Sequence, residues 1–115
     1  MIVEDDPLIR KGMMALLRSD RHAAVGAASV AEAASQLDDA TSTHLLLDLN
    51  LPDGPGTHVL RRIRAQSLAV RVALITGASD TMLTDEARAL GVDAIFIKPP
   101  DWDKVLNWVA RPESE

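Results

Sequence analysis

The chain has 115 residues, of which 47% are hydrophobic, so it contains enough apolar material for one domain with a single core. Its 17 acidic and 12 basic residues give a formal net charge of −5, and the basic residues are scattered among acids, which argues against direct binding of nucleic acid phosphates. The absence of cysteine excludes disulfides, a thiol nucleophile and a cysteine-based metal site.

The sequence contains no charged start followed by a long apolar segment, so it predicts neither a signal peptide nor a membrane span. The lack of cysteine agrees with a reducing compartment. We therefore expect a cytoplasmic protein that makes no contact with a membrane.

The first part of the chain indicates two units, each a strand followed by a helix. Ile2 and Val3 form a strand end, and a helix opens near Pro7. The apolar face of this helix is formed by Ile9, Met13, Leu16 and Leu17. A weakly indicated strand at 23–28 precedes a second helix. This helix begins at residues 29–32, which have the spacing of a capping box.

Three more units follow. The strand at 44–49 leads through a loop rich in proline and glycine to a helix that ends around Ser67. The strand at 71–76 precedes a helix that ends before Gly91, and the strand at 94–97 precedes a last helix capped by Asp101. The inward face of the last helix is predicted to consist of Trp102, Val105, Leu106 and Val109.

Trp108 is the other tryptophan of the last predicted helix. It lies about 240° around that helix from Trp102, on the side of Lys104 and Asn107. We therefore expect Trp108 to be partly exposed and to mark a partner surface, unless the tail folds over it.

Five strands that alternate with five helices, with the strands apolar on both faces, predict the α/β class and a doubly wound parallel sheet. In such sheets the functional residues lie at the carboxyl ends of the strands, beside the point where the strand order reverses. Residues 1–110 form the predicted domain, and 111–115 form a polar C-terminal tail or the start of a linker.

Polar side chains gather where four of these strands end. They are Glu4, Asp5 and Asp6 after the first strand, Asp48 and Asn50 after the third, Thr76 and Gly77 at the fourth, and Lys98 and Pro99 after the fifth. Carboxylates that cannot all ionise comfortably side by side favour a hard divalent cation, and Mg²⁺ prefers oxygen ligands. The oxygens would come from Glu4, Asp5, Asp48 and a loop carbonyl such as that of Asn50.

Asp48 is the predicted nucleophile because it lies at the centre of this cluster. A carboxylate oxygen that attacks phosphorus forms an acyl phosphate. Lys98 would pair with the phosphoryl oxygens, and Thr76 would donate its hydroxyl to them. We expect the Thr76 hydroxyl to move towards the phosphoryl group, because the unmodified site offers it no equivalent charged acceptor.

Four segments carry a family resemblance through their order and spacing: "IVEDD", "LLLDLNLPDGPG", "LITGA" and "IFIKPP". From Ile2 to about Val109 the chain resembles the receiver domain of bacterial two-component response regulators, and it leans towards the members that regulate transcription. The resemblance implies a CheY-like (flavodoxin-like) strand order of 2-1-3-4-5 and Mg²⁺ as the cofactor. It also implies a sensor histidine kinase or phosphotransfer protein as the phosphoryl donor.

The resemblance assigns a role to each residue of the predicted metal site. Glu4 and Asp5 correspond to the acidic pair of the family, and Asp48 corresponds to its phosphoacceptor. Asn50 corresponds to the residue that lends a backbone carbonyl to Mg²⁺.

The same resemblance makes Thr76 the switch hydroxyl and Lys98 the lysine that precedes a cis proline, so the bond from Lys98 to Pro99 is expected to be cis. The position three before this lysine is usually aromatic in the family, and here it is Ile95. Because the side chain of Ile95 is branched and stiff, it should pass the movement of Thr76 only weakly to the surface of the fifth strand. We expect phosphorylation to alter the Thr76 loop and the fourth helix while it changes the fifth strand little.

The chain departs from the family in two further ways. In this sequence, three residues precede the acidic pair, and no effector domain follows Pro112. The chain is therefore predicted to be a stand-alone receiver or a fragment of a longer regulator, whose further partner would be an effector domain or a second copy in a homodimer.

Three other functions remain open at this point. A phosphatase of the haloacid dehalogenase type would need a second acid two residues after Asp48, where this chain has Asn50. A flavin-binding carrier would need a phosphate loop after the first strand, where this chain has acids. A degenerate receiver that serves as a protein-binding module is favoured by Ile95 and the short first strand. The intact set of site residues favours a signalling switch rather than an enzyme.

Several other polar residues are predicted to have structural roles. Asp6 should cap the first helix or face solvent, and Asp53 should be a turn residue. His22, His44 and His58 lack metal-ligand spacing and are expected to be structural or solvated.

Overall fold

The computed structural model describes residues 1–39 and 42–111, in which a parallel sheet separates two layers of helices. Its strands are β1 (Ile2–Val3), β2 (Gly26–Ala27), β3 (His44–Leu47), β6 (Arg71–Thr76) and β7 (Ala94–Ile97), while β4 (Asn50–Leu51) and β5 (Gly54–Pro55) form a separate antiparallel hairpin. The helices are α1 (Pro7–Ser19), α2 (Val30–Asp39), α3 (Thr57–Ala65), α4 (Thr81–Ala89) and α5 (Trp102–Ala110).

The strand order in the sheet is β2-β1-β3-β6-β7, and every neighbouring pair is parallel. With the hairpin strands left out, this is the predicted order 2-1-3-4-5, so the predicted fold is confirmed. The predicted strand at 23–28 shortens to two residues, and the predicted strand at 44–49 ends at Leu47. The first strand is as short as the sequence indicated.

Successive residues of the central strands face opposite layers of the protein. In β3, Leu45 and Leu47 pack with α2, α3 and α4, while Leu46 packs with α1 and α5. In β6, Val72 and Leu74 face the first layer, and Ala73 faces the second. Both faces of the sheet are thus buried, which explains why these strands are continuous apolar runs.

The inward face of α1 is narrower than the sequence indicated. Met13 and Leu17 are buried in the core, whereas Ile9 and Leu16 are exposed at 46% and 40%. Asp6 caps this helix by accepting hydrogen bonds from the amides of Leu8 and Ile9, as predicted. The exposed Ile9 lies in the first turn, close to the carboxyl end of the sheet.

The prediction that Trp108 is partly exposed is wrong, because 6% of its surface is accessible. The buried face of α5 is centred on Val105, and the two tryptophans lie three residues before and after it, about 60° to either side. The Trp108 ring packs edge-on against His44, with centroids 5.2 Å apart, and the Arg71 guanidinium lies 5.5 Å from its centroid. Trp108 is therefore a core residue and does not mark a partner surface.

The predicted polar tail at 111–115 lies outside the described residues from 112 onwards. Within the part of the chain that the structure describes, no helix has the length and apolar character needed to cross a membrane.

Asp53 has a second role besides the predicted turn. Its two carboxylate oxygens accept hydrogen bonds from the backbone amides of Val30 and Ala31, at 2.8 and 2.9 Å. Ser29 accepts a further bond from the amide of Glu32, as the capping box predicted. The loop after β4 therefore caps the start of α2, and two segments that are distant in sequence are joined beside the carboxyl end of β3.

Replacing Asp53 by alanine should lower the melting temperature by a few degrees, because the first amides of α2 lose their acceptors. The bonds to Ala31 and Val30 lower the pKa of Asp53 in the folded protein. The stabilisation is therefore present above the pKa that Asp53 has in the unfolded chain, and it is lost as pH falls through the pKa of the folded protein. Thermal melts of the wild type and the variant should therefore converge in acid. Equal melting temperatures at neutral pH would contradict a capping role for Asp53.

Candidate functional site

Three carboxylates converge at the carboxyl ends of β1 and β3. One oxygen from each of Glu4, Asp5 and Asp48 lies within 4.8 Å of the others. β1 and β3 are hydrogen-bonded neighbours, so residues that follow the two strands emerge side by side. Glu4 and Asp48 are buried, and Asp5 is exposed. The expected cluster of acids is thus present, open to solvent on the side of Asp5.

Asp48 has a donor on each carboxylate oxygen. The amine of Lys98 lies 3.0 Å from Oδ2, and the backbone amide of Asn50 donates to Oδ1 at 3.2 Å. Lys98 follows β7, and its peptide bond to Pro99 is cis, as predicted. Burial acts to lower the pKa of Lys98, but the hydrogen bond to Asp48 and the charges of the surrounding acids outweigh it, so the pKa is raised. Lys98 is therefore held as a cation against the central carboxylate.

Glu4 is a buried acid in surroundings that favour its neutral form. Burial, together with the hydrogen bond and the negative charge of Asp48, raises the pKa of Glu4 to about 8. Among the described residues, no group forms a hydrogen bond with the buried atom Oε2. A hard divalent cation fits this site, because it would give Oε2 a partner and would stabilise the ionised form.

The raised pKa of Glu4 predicts how the metal-free protein responds to pH. Folded Glu4 keeps its proton up to about pH 8, whereas the unfolded chain loses it near 4.5. The folded state therefore binds more protons at Glu4 between these values, so the contribution of Glu4 to the free energy of unfolding should fall as pH rises. Solvent screening from the open side of the cluster reduces the expected change to about 2 kcal/mol. Denaturant titrations in chelator at about pH 5 and about pH 9 measure this change.

Substituting Glu4 by glutamine should remove this contribution, because an amide carries no proton to lose, so the wild type should lose more stability between the two pH values than the variant does. Glu32, an exposed acid of α2, is the matched control, and Glu32→Gln should leave the dependence as in the wild type. An unchanged pH dependence in Glu4→Gln would show that another group titrates.

The Thr76 hydroxyl has a charged acceptor in the unmodified site, contrary to expectation. Thr76 lies at the buried end of β6, and its Oγ1 donates to Oδ2 of Asp80 at 3.0 Å. The side-chain amide of Asn50 donates to the same oxygen at 3.0 Å. Asp80 thus bridges the loop after β3 and the loop after β6. The sequence alone does not indicate this role for Asp80, since an acid just before a helix is typical of an N-cap.

A cavity of about 400 Å³ opens beside Asp48 between α1 and α5. Ile9, Met13 and Trp102 line it with apolar surface, and Asp48 and Lys98 border it. Leu8, at the start of α1, is 82% exposed. One approach to the cluster of acids is therefore apolar, which is typical of a surface that meets another molecule.

The structure places Glu4, Asp5, Asp48 and Lys98 in one cluster. Asn50 is linked to it by a hydrogen bond to Asp48, and Thr76 is linked to Asn50 through Asp80. Residues 1–110 match the response regulator receiver domain family. The chain belongs to this family. It is a receiver domain of two-component response regulators, and such domains are signalling switches rather than classical enzymes.

Similar proteins include transcriptional regulators and solved receiver domains. The transcriptional regulatory protein BasR of Escherichia coli (strain K12) is 35% identical over 101 residues, which cover 86% of this chain and 45% of BasR. The acid tolerance regulatory protein ActR of Rhizobium meliloti (strain 1021) is 29% identical over 106 residues, or 92% of this chain and 55% of ActR. This chain therefore spans about half the length of these relatives.

Among solved structures, a response regulator receiver protein from Pseudomonas putida has a TM-score of 0.87 at 28% identity, over 94% of this chain and 91% of that one. A CheY-like receiver domain from Methanospirillum hungatei JF-1 has a TM-score of 0.88 at 23% identity, over 94% of this chain and 86% of that one. The second likeness is evidence for the fold alone.

Proposed function

We propose that this receiver domain is a phosphorylation-controlled switch that accepts a phosphoryl group on Asp48. The observation that carries the proposal is a buried carboxylate held 3.0 Å from the Lys98 amine and beside two further carboxylates. The ion pair orients Asp48 and supplies a cation next to the oxygen that would carry the new bond. The donor is a sensor histidine kinase or a phosphotransfer protein.

The transfer is a displacement at phosphorus. An oxygen of Asp48 forms a bond to phosphorus while the P–N bond of the donor phosphohistidine breaks, and the donor imidazole keeps the electron pair. The amine of Lys98 then pairs with the phosphoryl oxygens. When bound, Mg²⁺ would screen the negative charge of the phosphoryl group. The ligands of Mg²⁺ would be the side chains of Glu4, Asp5 and Asp48 and the backbone carbonyl of Asn50.

Hydrolysis of the acyl phosphate should be slow. Two residues after Asp48 the chain has Asn50, and an amide cannot act as a general base towards water. The amide of Asn50 is also engaged, because it donates to Asp80. The domain therefore holds its phosphoryl group as a signal, which distinguishes it from a phosphatase with an aspartate nucleophile.

The partners follow from the site and from the length of the chain. The apolar approach at Leu8 and Ile9 suits the docking of a donor protein next to Asp48. The relatives are about twice as long as this chain, so we infer an effector domain or a second copy as the target of the switch. We place the domain in the cytoplasm and assign it no direct contact with nucleic acid.

The output of the switch is read from the Thr76 loop and α4. Ile95 is half-buried in β7 and packs against the core, so it has little freedom to turn when Thr76 moves. Chemical shifts should therefore change more from Gly77 to Leu83 than around Ile95.

The proposed function is tested by phosphorylation with a small donor such as acetyl phosphate, followed by intact mass spectrometry. We expect one phosphoryl adduct with Mg²⁺ and none in chelator, and the adduct should be stable in acid and labile in base. A phosphohistidine shows the opposite stability, so an acid-labile adduct would point to a histidine. Absence of any adduct would favour the degenerate receiver instead.

A further inference from the structure

The side chain of Asp80 faces away from the helix that it precedes. Asp80 occupies the N-cap position of α4, but within the described residues its carboxylate forms no capping bond to the amides of that helix. Its Oδ2 instead accepts from the Thr76 hydroxyl and from the Asn50 amide, each at 3.0 Å. The backbone carbonyl of Asp80, not its side chain, accepts the bonds from Thr84.

We propose that Asp80 is a positioning residue that holds the switch in its unphosphorylated arrangement, by binding the Thr76 hydroxyl that a phosphoryl group on Asp48 must attract. This inference rests on the proposed function and adds Asp80 as a second acceptor that competes with the phosphoryl group for the Thr76 hydroxyl. A hydroxyl has one proton to donate, so Thr76 cannot donate a hydrogen bond to Asp80 and to the phosphoryl group at once.

The competition is between two charged acceptors. A bond from the Thr76 hydroxyl to the Asp80 carboxylate is charge-assisted, as is a bond to a phosphoryl oxygen. Phosphorylation shifts the switch by the difference between these two interactions, not by the full strength of the second. Asp80 therefore sets how far one phosphoryl group moves the Thr76 loop.

Asp80 also ties Asn50 to the Thr76 loop. Asn50 lies two residues after Asp48, and its backbone amide donates to Oδ1 of Asp48. The bond from Asn50 joins the loop after β3 to Asp80, and the bond from Thr76 fixes the same oxygen from the end of β6. The loop after β3 and the loop after β6 are thus coupled through one carboxylate oxygen.

The experiment measures binding of beryllofluoride, a phosphoryl mimic, to the whole chain at saturating Mg²⁺, with amide shifts of Thr76 and Gly77 as the readout. Asp80→Ala should bind the mimic about fivefold more tightly than the wild type, because the competing bond is gone. Asp80→Asn should show a smaller gain, because its amide oxygen is a neutral acceptor. Asp85→Asn removes the same charge from an exposed site on α4 and should leave the affinity unchanged.

A double-mutant cycle separates the bond from simple charge repulsion. In a Thr76→Val background, Asp80→Ala should have little effect, because the hydroxyl through which it acts is absent. An equal gain in affinity with and without the hydroxyl would overturn the inference, and so would wild-type affinity in Asp80→Ala. If the wild type itself binds no mimic and forms no adduct, the proposed function fails. If the wild type binds and the Asp80 variants match it, this inference alone fails.

Discussion

Replacing Asp48 by alanine should abolish the phosphoryl adduct completely while the domain remains folded. Of the acids that the structure describes, Asp48 is the one that combines burial with a cationic partner, since Lys98 lies 3.0 Å from its Oδ2. Glu4 is buried but forms no ion pair among the described residues. Asp5 is exposed and has no such ion pair with Lys98 among the described contacts. Intact mass spectrometry after incubation with acetyl phosphate and Mg²⁺ measures the effect.

The control for this variant is Asp20→Ala. Asp20 is exposed and follows α1, at the opposite end of that helix from the site. The Asp20→Ala protein should take up one phosphoryl group at the wild-type rate. Full phosphorylation of Asp48→Ala, with a cooperative thermal transition to show that it is folded, would remove Asp48 from the mechanism.

Replacing Gly56 by alanine should destabilise the domain by about 3 kcal/mol, because there is no room for a side chain at this position. A Cβ on Gly56 would lie 2.2 Å from the backbone oxygen of Asp48 and 3.1 Å from the Cα of Leu49. The backbone of Gly56 has φ of −59° and ψ of −21°, so steric contact and not dihedral strain sets the cost. Relief requires the segment after β5 to move away from Asp48, so the rate of phosphorylation should fall as well.

Gly12 provides the matched control in the same protein. It lies within α1, and a Cβ there would meet no atom within 4 Å. Gly12→Ala should therefore stabilise the domain by about 0.5–1 kcal/mol through its effect on helix propensity. Denaturant titrations of both variants test the pair, and a Gly56→Ala protein as stable as the wild type would show that the hairpin moves without cost.

The fold could be predicted because its signals are local. The central strands β3 and β6 are buried on both faces, which leaves continuous apolar runs in the sequence. Their polar ends then identify the edge of the sheet where the site lies. The signal for β2 is weak, since the strand consists of two residues in a segment of small side chains.

The exposure of Trp108 was predicted wrongly because the reference direction on the helix was wrong. An angle measured from Trp102 places Trp108 on the far side, but the face that meets the sheet is centred on Val105. The contacts with His44 and Arg71, which lie at the starts of two neighbouring strands, determine that direction. The periodicity of one helix does not contain this information.

Two acids had roles that local sequence could not reveal. Asp53 is in a turn and Asp80 precedes a helix, and each position has an ordinary explanation within its own segment. Their actual partners are far away in sequence, because Asp53 binds the start of α2 and Asp80 binds Asn50, 30 residues before it. These contacts exist because the parallel sheet brings several loops to one edge.

The phosphoacceptor is tested most directly by locating the phosphoryl group in the sequence. Reduction of an acyl phosphate with borohydride converts the aspartate to homoserine, which peptide mass spectrometry can assign to one position. After phosphorylation with Mg²⁺, we expect homoserine at Asp48 and at no other acid. Homoserine at Asp5 or Asp80, or an intact Asp48 in a protein that carries the phosphoryl group, would contradict the assignment of Asp48 as the phosphoacceptor.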